Sequence, residues 1–447
     1  MNIAPIARPI LLLTMISVMV GCTSNEPFRT NFDPTGGDPA KAVIESTQEY
    51  KLGFVEFDDQ GWFWDIRQRT VVEQMIRDES GIGQAQGATP RGIILVAFVH
   101  GWKDNAAYNG EGVKAFRDIL QQLSSAEKVQ TDHLPRKVVG VYVGWRGLSA
   151  MWEPFKELSF WNRKDTAHKV GGYGAMTKLL VDLENIQKDS LAKIPATEPR
   201  TELIIIGHSF GGAAVYSALS QIITERFVDT IERKNKRLKP LGDQVILLNP
   251  AFEALRHYDL NQMALAVGKY PTDQRPVLSI FTSRGDWATH YAFPVGRFFA
   301  TLFEKGRDDE QRRAALQTVG WFKPFFTHEL NYVATAPSPT TQASTLNPVT
   351  KTHEYHHPGG EKLRRSVDNL KAQRGKWHPN GPRPQTYNFD DCVLKPLDGF
   401  HPGDPFLIVS TDQRIMKDHG DITNKVLINF IREYIQFCQV DSKDHSP

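Results

Sequence analysis

Long runs of this chain are apolar with no alternation. GIILVAFVHG (Gly92–Gly101), KVVGVYVGW (Lys137–Trp145), ELIIIG (Glu202–Gly207) and QVILLNP (Gln244–Pro250) are rich in branched side chains and carry almost no polar ones. A strand with one face in water alternates; these runs do not, so each predicts a strand buried on both faces of a sheet. Helical stretches separate them, such as GVKAFRDILQQL, GAMTKLLVDLENIQ and Phe210–Ile223. PVLSIFTSRGDW (Pro276–Trp287) and PFLIVSTD (Pro405–Asp412) predict two further strands, and DITNKVLINFIREYIQF a closing helix. Strands alternating with helices constrain the fold to the α/β class, a mostly parallel sheet covered on both faces. Ahead of the series, YKLGFVEFDDQGWFWD (Tyr50–Asp65) predicts a hairpin around its Asp-Asp-Gln-Gly turn, and RTVVEQMIRDE a short helix.

At 447 residues with 40% hydrophobic side chains, the chain can bury a large core. Its net charge is +2 and no long block of Lys or Arg stands out, so nothing electrostatic points to nucleic acid. The connection between the last two strands runs to roughly 120 residues, far beyond the usual length. Residues 291–404 are expected to form an insertion or partial cap, between core segments 46–290 and 405–440.

The N-terminus has its own logic. Arg8 precedes the apolar stretch Ile10–Val20, which ends in VMVGC. The stretch is shorter than the ~20 residues a transmembrane helix needs and fits a secretory signal core. A small residue followed by Cys resembles the cleavage site of a bacterial lipoprotein signal. That resemblance implies a signal peptide over 1–21 and acylation of Cys22. Thr23 follows where Asp would hold a lipoprotein in the inner membrane, so the resemblance points to the periplasmic face of the outer membrane. Acyl chains there would tether an otherwise soluble body to a lipid surface. Residues 22–45, rich in Pro, Gly, Asn and Thr, are expected to be a flexible tether. The other two cysteines, Cys392 and Cys438, are either a disulfide in an oxidising compartment or two buried thiols. The sequence leaves both open.

Chemistry concentrates where the third strand meets its helix. IIIGHSFGGAA (Ile204–Ala214) contains Gly-x-Ser-x-Gly between a buried strand and a helix of small residues. A serine on so sharp a turn is thrust from the carboxyl end of the sheet. Gly207, His208 and Gly211 form the elbow around it, the glycines leaving room where a Cβ would collide. Ser209 is therefore the candidate nucleophile. A hydroxyl needs a base, and the base an orienting acid, in the chain order Ser, acid, His. Asp286 lies just beyond the fifth strand; Asp273 precedes that strand and is worse placed. His419 follows the last strand, whereas His401 precedes it and His445 lies in the tail. The oxyanion of an acyl transfer needs two backbone donors. The Phe210 amide follows the nucleophile, and the Trp102 amide sits in the loop after the first buried strand. His100 in that loop reads as a structural hydrogen-bonding residue.

HGWKDN, VGWRG, GHSFGG, Asp286 and His419, in this order, resemble the α/β-hydrolase fold in its serine esterase and lipase branch. The resemblance runs from about Gly92 to Phe437, without the long excursion. It implies ester hydrolysis through an acyl-enzyme without metal or organic cofactor, on a small-molecule or lipid ester. Activity is expected to fall below about pH 6, where an imidazole protonates. Two rivals use the same residues differently: an amidase or peptidase, and a non-catalytic membrane-anchored binding lipoprotein. HEYHH (His353–His357) formally matches a zinc-protease motif, but that chemistry needs a helix. Pro358-Gly359-Gly360 follow at once and are expected to stop one, so no metal site is assigned. The aromatic-rich SAMWEPFKELSFWNR (Ser149–Arg163) reads equally as core or as the wall of an acyl pocket.

Overall fold

The computed structural model describes residues 26–439, apart from 34, 84–88, 132, 148–154, 196, 233–236, 269, 272–273, 334–357, 375–385 and 399–403. Cys22, Asp273, His353–His357, His401 and His445 lie outside the described residues, as does most of the Pro- and Thr-rich excursion. The described residues contain no helix long and apolar enough to cross a membrane.

The buried runs form one sheet. Strands β2 (Tyr50–Phe57), β3 (Ile93–Val99), β4 (Lys137–Trp145), β5 (Glu202–His208), β6 (Gln244–Leu248), β7 (Leu278–Ser283) and β11 (Phe406–Thr411) are its parallel centre. Their order across the sheet is β2-β4-β3-β5-β6-β7-β11. Along β3 the two faces alternate. Ile93, Leu95, Ala97 and Val99 join one hydrophobic core, and Ile94, Val96 and Phe98 the other. The period of two explains why the sequence run is apolar throughout: both faces are covered. Helices α1 (Ile66–Glu79), α4 (Ala175–Lys193), α5 (Phe210–Glu232) and α6 (Leu255–Val267) bury apolar residues in the first core. Helices α2 (Glu111–Lys128) and α10 (Lys425–Cys438) bury theirs in the second. Helix α3 (Phe155–Gly172) packs along α5.

The N-terminal segment differs from a flexible tether from Phe28 onward. The Phe28 and Arg29 amides both donate to the Glu56 carboxylate, at 2.9 and 2.8 Å. The Arg29 guanidinium is fully buried; it donates to the Ala106 carbonyl, pairs with Glu45 at 2.8 Å and lies 3.6 Å from the Phe54 ring centroid. A buried cation held by a carboxylate, a carbonyl and a ring face fixes its segment to the body. Strand β1 (Ile44–Ser46) then runs antiparallel to β2 at the sheet edge. The expected hairpin reduces to its turn: Phe57 and Phe63 form a single bridge, while β2 pairs with β4 in parallel.

The segment 291–404 adds strands to the sheet. Its strand β8 (His328–Tyr332) joins β11 in parallel, and β10 (Cys392–Pro396) and β9 (Tyr387–Asn388) follow antiparallel. Its polar turns hid these strands, because edge strands are short and only half buried. Ahead of them come a π-helical turn (Ala288–Ala292) and two short helices, α7 (Phe293–Ala300) and α8 (Asp309–Leu316). Pro358-Gly359-Gly360, expected to stop a helix, instead begins α9 (Pro358–Arg374). Proline suits a first helical turn, where its missing N–H has no partner to lose. Cys392 and Cys438 are buried free thiols, which closes the disulfide alternative.

Candidate active site

Strand β5 ends at His208 and α5 begins at Phe210, so the whole turn is Ser209. Its φ of +55° lies in the left-handed region, uncommon for a residue with a Cβ. Hydrogen bonds hold it there: its amide donates to the Leu248 carbonyl at 2.9 Å, and its carbonyl accepts from Ala251 at 3.1 Å. Strain kept in place by surrounding bonds is a mark of functional sites. The glycines of the elbow are sterically required. A Cβ on Gly211 would sit 2.1 Å from the Val99 carbonyl oxygen, and one on Gly207 2.8 Å from the Gly212 Cα.

Ser209, His419 and Asp286 come together from three separate strand ends. The Ser209 Oγ is 2.6 Å from His419 Nε2, and His419 Nδ1 is 2.9 Å from Asp286 Oδ2. Asp286 is 1% exposed. Burial alone would raise its pKa; the His419 charge and hydrogen bonds from His419 and Thr289 outweigh burial and hold it below the ordinary value. The Thr289 amide donates to Oδ1 at 3.0 Å and its hydroxyl to Oδ2 at 2.5 Å. The Trp321 indole donates to that same hydroxyl at 3.0 Å. A carboxylate so held stays ionised beside the imidazole.

The predicted oxyanion donors flank the serine. Phe210 is the first residue of α5. Trp102 follows Gly101, whose missing Cβ would lie 2.6 Å from the Ser209 Cβ. Only glycine lets that loop approach so closely. His100 is fully buried. Its Nε2 accepts from the Trp145 amide at 3.0 Å, its Nδ1 donates to the Gly101 carbonyl at 2.9 Å, and its ring stacks on Trp145. It clamps the loop that carries Trp102.

Sequence reasoning placed His208 in the elbow but not its hold on the base, and it missed Asn249, Thr289 and Trp321. His208 donates from Nε2 to the His419 carbonyl at 2.8 Å. Burial first, then the nearby His419, push its pKa down to about 3, so it stays neutral. Asn249, at φ +44°, accepts from the Ser283 amide at 2.8 Å and donates to the Asp418 and His419 carbonyls, both at 3.1 Å. One side chain thereby joins the strand ends carrying the acid and the base. Its only sequence signal was an Asn-Pro at the end of a buried strand. Thr289 and Trp321 carried none.

Beyond the acid, the surface is apolar. Trp287, Tyr291, Val295, Phe299 and Phe303 are exposed, Phe303 almost completely. Among the described residues, no group of three or more His, Cys, Asp or Glu side chains is placed to hold a metal ion.

Residues 182–297 match a family model described as "Alpha/beta hydrolase of unknown function (DUF900)". The matched stretch includes Ser209 and Asp286 and stops short of His419. A comparison with curated proteins finds no match. The mostly parallel sheet, helices on both of its faces and the family match together make this an α/β fold of the α/β-hydrolase type.

Proposed function

We propose that this chain is a serine hydrolase that cleaves carboxylic esters through an acyl-enzyme. The observation that carries the reading is the unbroken relay from Ser209 Oγ through His419 to Asp286, at 2.6 and 2.9 Å. His419 Nε2 takes the Ser209 proton as Oγ attacks the ester carbonyl. The Trp102 and Phe210 amides hold the oxyanion. The imidazolium then gives its proton to the leaving alcohol. Water, deprotonated by the same nitrogen, attacks the acyl-serine and releases the acid. Asp286 keeps Nδ1 protonated and stabilises the cation formed at each step.

We further propose that acylated Cys22 tethers the body to a lipid surface. Two observations support this. Phe28 and Arg29 dock on Glu56, near the carboxyl end of β2 and so at the same end of the sheet as Ser209. The apolar residues after Asp286 give that end a surface suited to lipid.

Labelling with a fluorophosphonate probe tests the hydrolase reading. Wild type should label and Ser209→Ala should not. A folded wild type that stays unlabelled, or a Ser209→Ala protein with full esterase activity, would overturn it. Mass spectrometry of the membrane fraction tests the tether: the mature N-terminus should be a diacylglyceryl Cys22.

A further inference from the structure

A second concentration of charge lies away from the serine. A groove of about 530 Å³ opens between α3, α5, the start of α6 and α7. Lys164, Arg256 and Arg297 line it together with one carboxylate, Glu253. Glu253 is shared: Lys164 Nζ lies 2.5 Å from its Oε1 and Arg297 Nε 3.0 Å. Arg256 forms no ion pair among the described residues. Its guanidinium donates to His168 Nδ1 and to the Ser217 hydroxyl, each at 3.0 Å, and both are neutral acceptors.

Among the described residues that line the groove, Glu253 is the carboxylate and it pairs with Lys164 and Arg297, which leaves the half-buried Arg256 on neutral acceptors. Desolvated like charges are costly unless a counter-charge sits among them. The histidine reports the same field. Burial first, then Arg256 and Lys164, push the His168 pKa down to about 4. A fork of guanidinium donors beside an ammonium group, in a groove rather than in a packed core, is the usual protein answer to a planar or tetrahedral anion.

We propose that this groove binds a small anion carrying a carboxylate or phosphate group, held by Arg256 and Lys164 and closed on one side by Arg297. Ser217 lies about two turns along α5 from the nucleophile, roughly 12 Å along the helix axis. That spacing admits two sources for the group. It belongs either to a free anion or to the acidic end of an ester whose carbonyl reaches Ser209.

Isothermal titration of inorganic phosphate, and separately of succinate, into the full chain tests the site without relying on hydrolysis. Wild type and Ser209→Ala should bind alike. Arg256→Gln should weaken binding by about tenfold or more. Gln221→Glu adds a carboxylate at the groove while leaving the cluster's bonds intact, and should weaken it several-fold. It guards against loss of fold in the arginine variant. A folded wild type that binds neither anion, or two variants that bind as wild type does, would overturn the proposal. Turnover then separates the sources. Competitive inhibition by phosphate, confined to esters with an acidic end, places the substrate's acid in the groove. Phosphate binding that leaves every ester's turnover unchanged makes the groove a separate anion site.

Discussion

The imidazole of His208 donates a hydrogen bond to the backbone carbonyl of His419 across 2.8 Å. The residue beside the nucleophile thus grips the loop that carries the base. Since His208 Cα is fixed by β5, the grip sets where His419 can sit relative to Ser209 Oγ. His208→Ala should lower kcat by roughly ten- to a hundredfold with little change in KM, because misplacing a reacting group acts on the chemical step. His208→Gln, whose amide can still donate, should recover part of the loss. Steady-state kinetics on a chromogenic short-chain ester would check both; an unchanged kcat in His208→Ala would remove the clamp from the account.

Asp286→Asn keeps the shape of the acid and discards its charge. The amide would either present an N–H to the protonated Nδ1 or turn the ring to the wrong tautomer. The expected loss in kcat is about a thousandfold or more. Thr289→Val removes only the hydroxyl between Asp286 and Trp321 and should cost about tenfold. If the two variants lost equal activity, Asp286 would be acting through Thr289's loop and not on His419.

The glycines beside the serine separate activity from folding. Gly101→Ala would push against the Ser209 Cβ at 2.6 Å and His208 Nδ1 at 2.8 Å. The Trp102 loop must retreat, so fluorophosphonate labelling should slow about a hundredfold in a protein of native circular dichroism. Gly211→Ala meets backbone oxygens at 2.1 and 2.3 Å, with no side chain able to give way. That variant should be destabilised by about 3 kcal/mol or fail to fold, which urea unfolding would show.

Buried histidines make the fold acid-sensitive. Burial holds His208, His257 and His328 neutral down to about pH 3, and His168 to about 4. In the unfolded chain each takes up a proton near pH 6.5. Below that value the unfolded state binds more protons than the folded one, so stability falls as pH falls. Each histidine contributes about 1.4 kcal/mol per pH unit between its two values. Asp243, Asp404 and Glu433 work the other way, because burial raises them to about 6, 7 and 7 and the folded state keeps their protons at pH 5. Stability should still fall from pH 6.5 to 5, with a net uptake on unfolding at pH 5 of about one to two protons. Equal urea midpoints at pH 7 and pH 5 would contradict this.

What the sequence by itself determined is local. Unbroken apolar runs dictate strands buried on both faces, and Lys137–Trp145 is a strand with the ends its sequence predicts. Gly-x-Ser-x-Gly at a strand end dictates a sharp turn, because only small neighbours permit it. The order of Ser209, Asp286 and His419 along the chain was enough to select them, since each stands just past a strand that the run pattern exposes.

Tertiary structure decided what depends on partners far apart in the chain. Arg29 looks like a tether residue until Glu45, Phe54 and Ala106 surround it. Residues 328–332 and 387–396 look like an excursion until β11 offers them an edge. Asn249 and Thr289 are ordinary polar residues in sequence and His208 only a member of the elbow; all three become positioning groups only where strand ends converge. A hydrogen bond between His208 and His419 joins residues 211 positions apart, and no local pattern encodes it. Its geometry exists only after the sheet has brought the two loops to one edge.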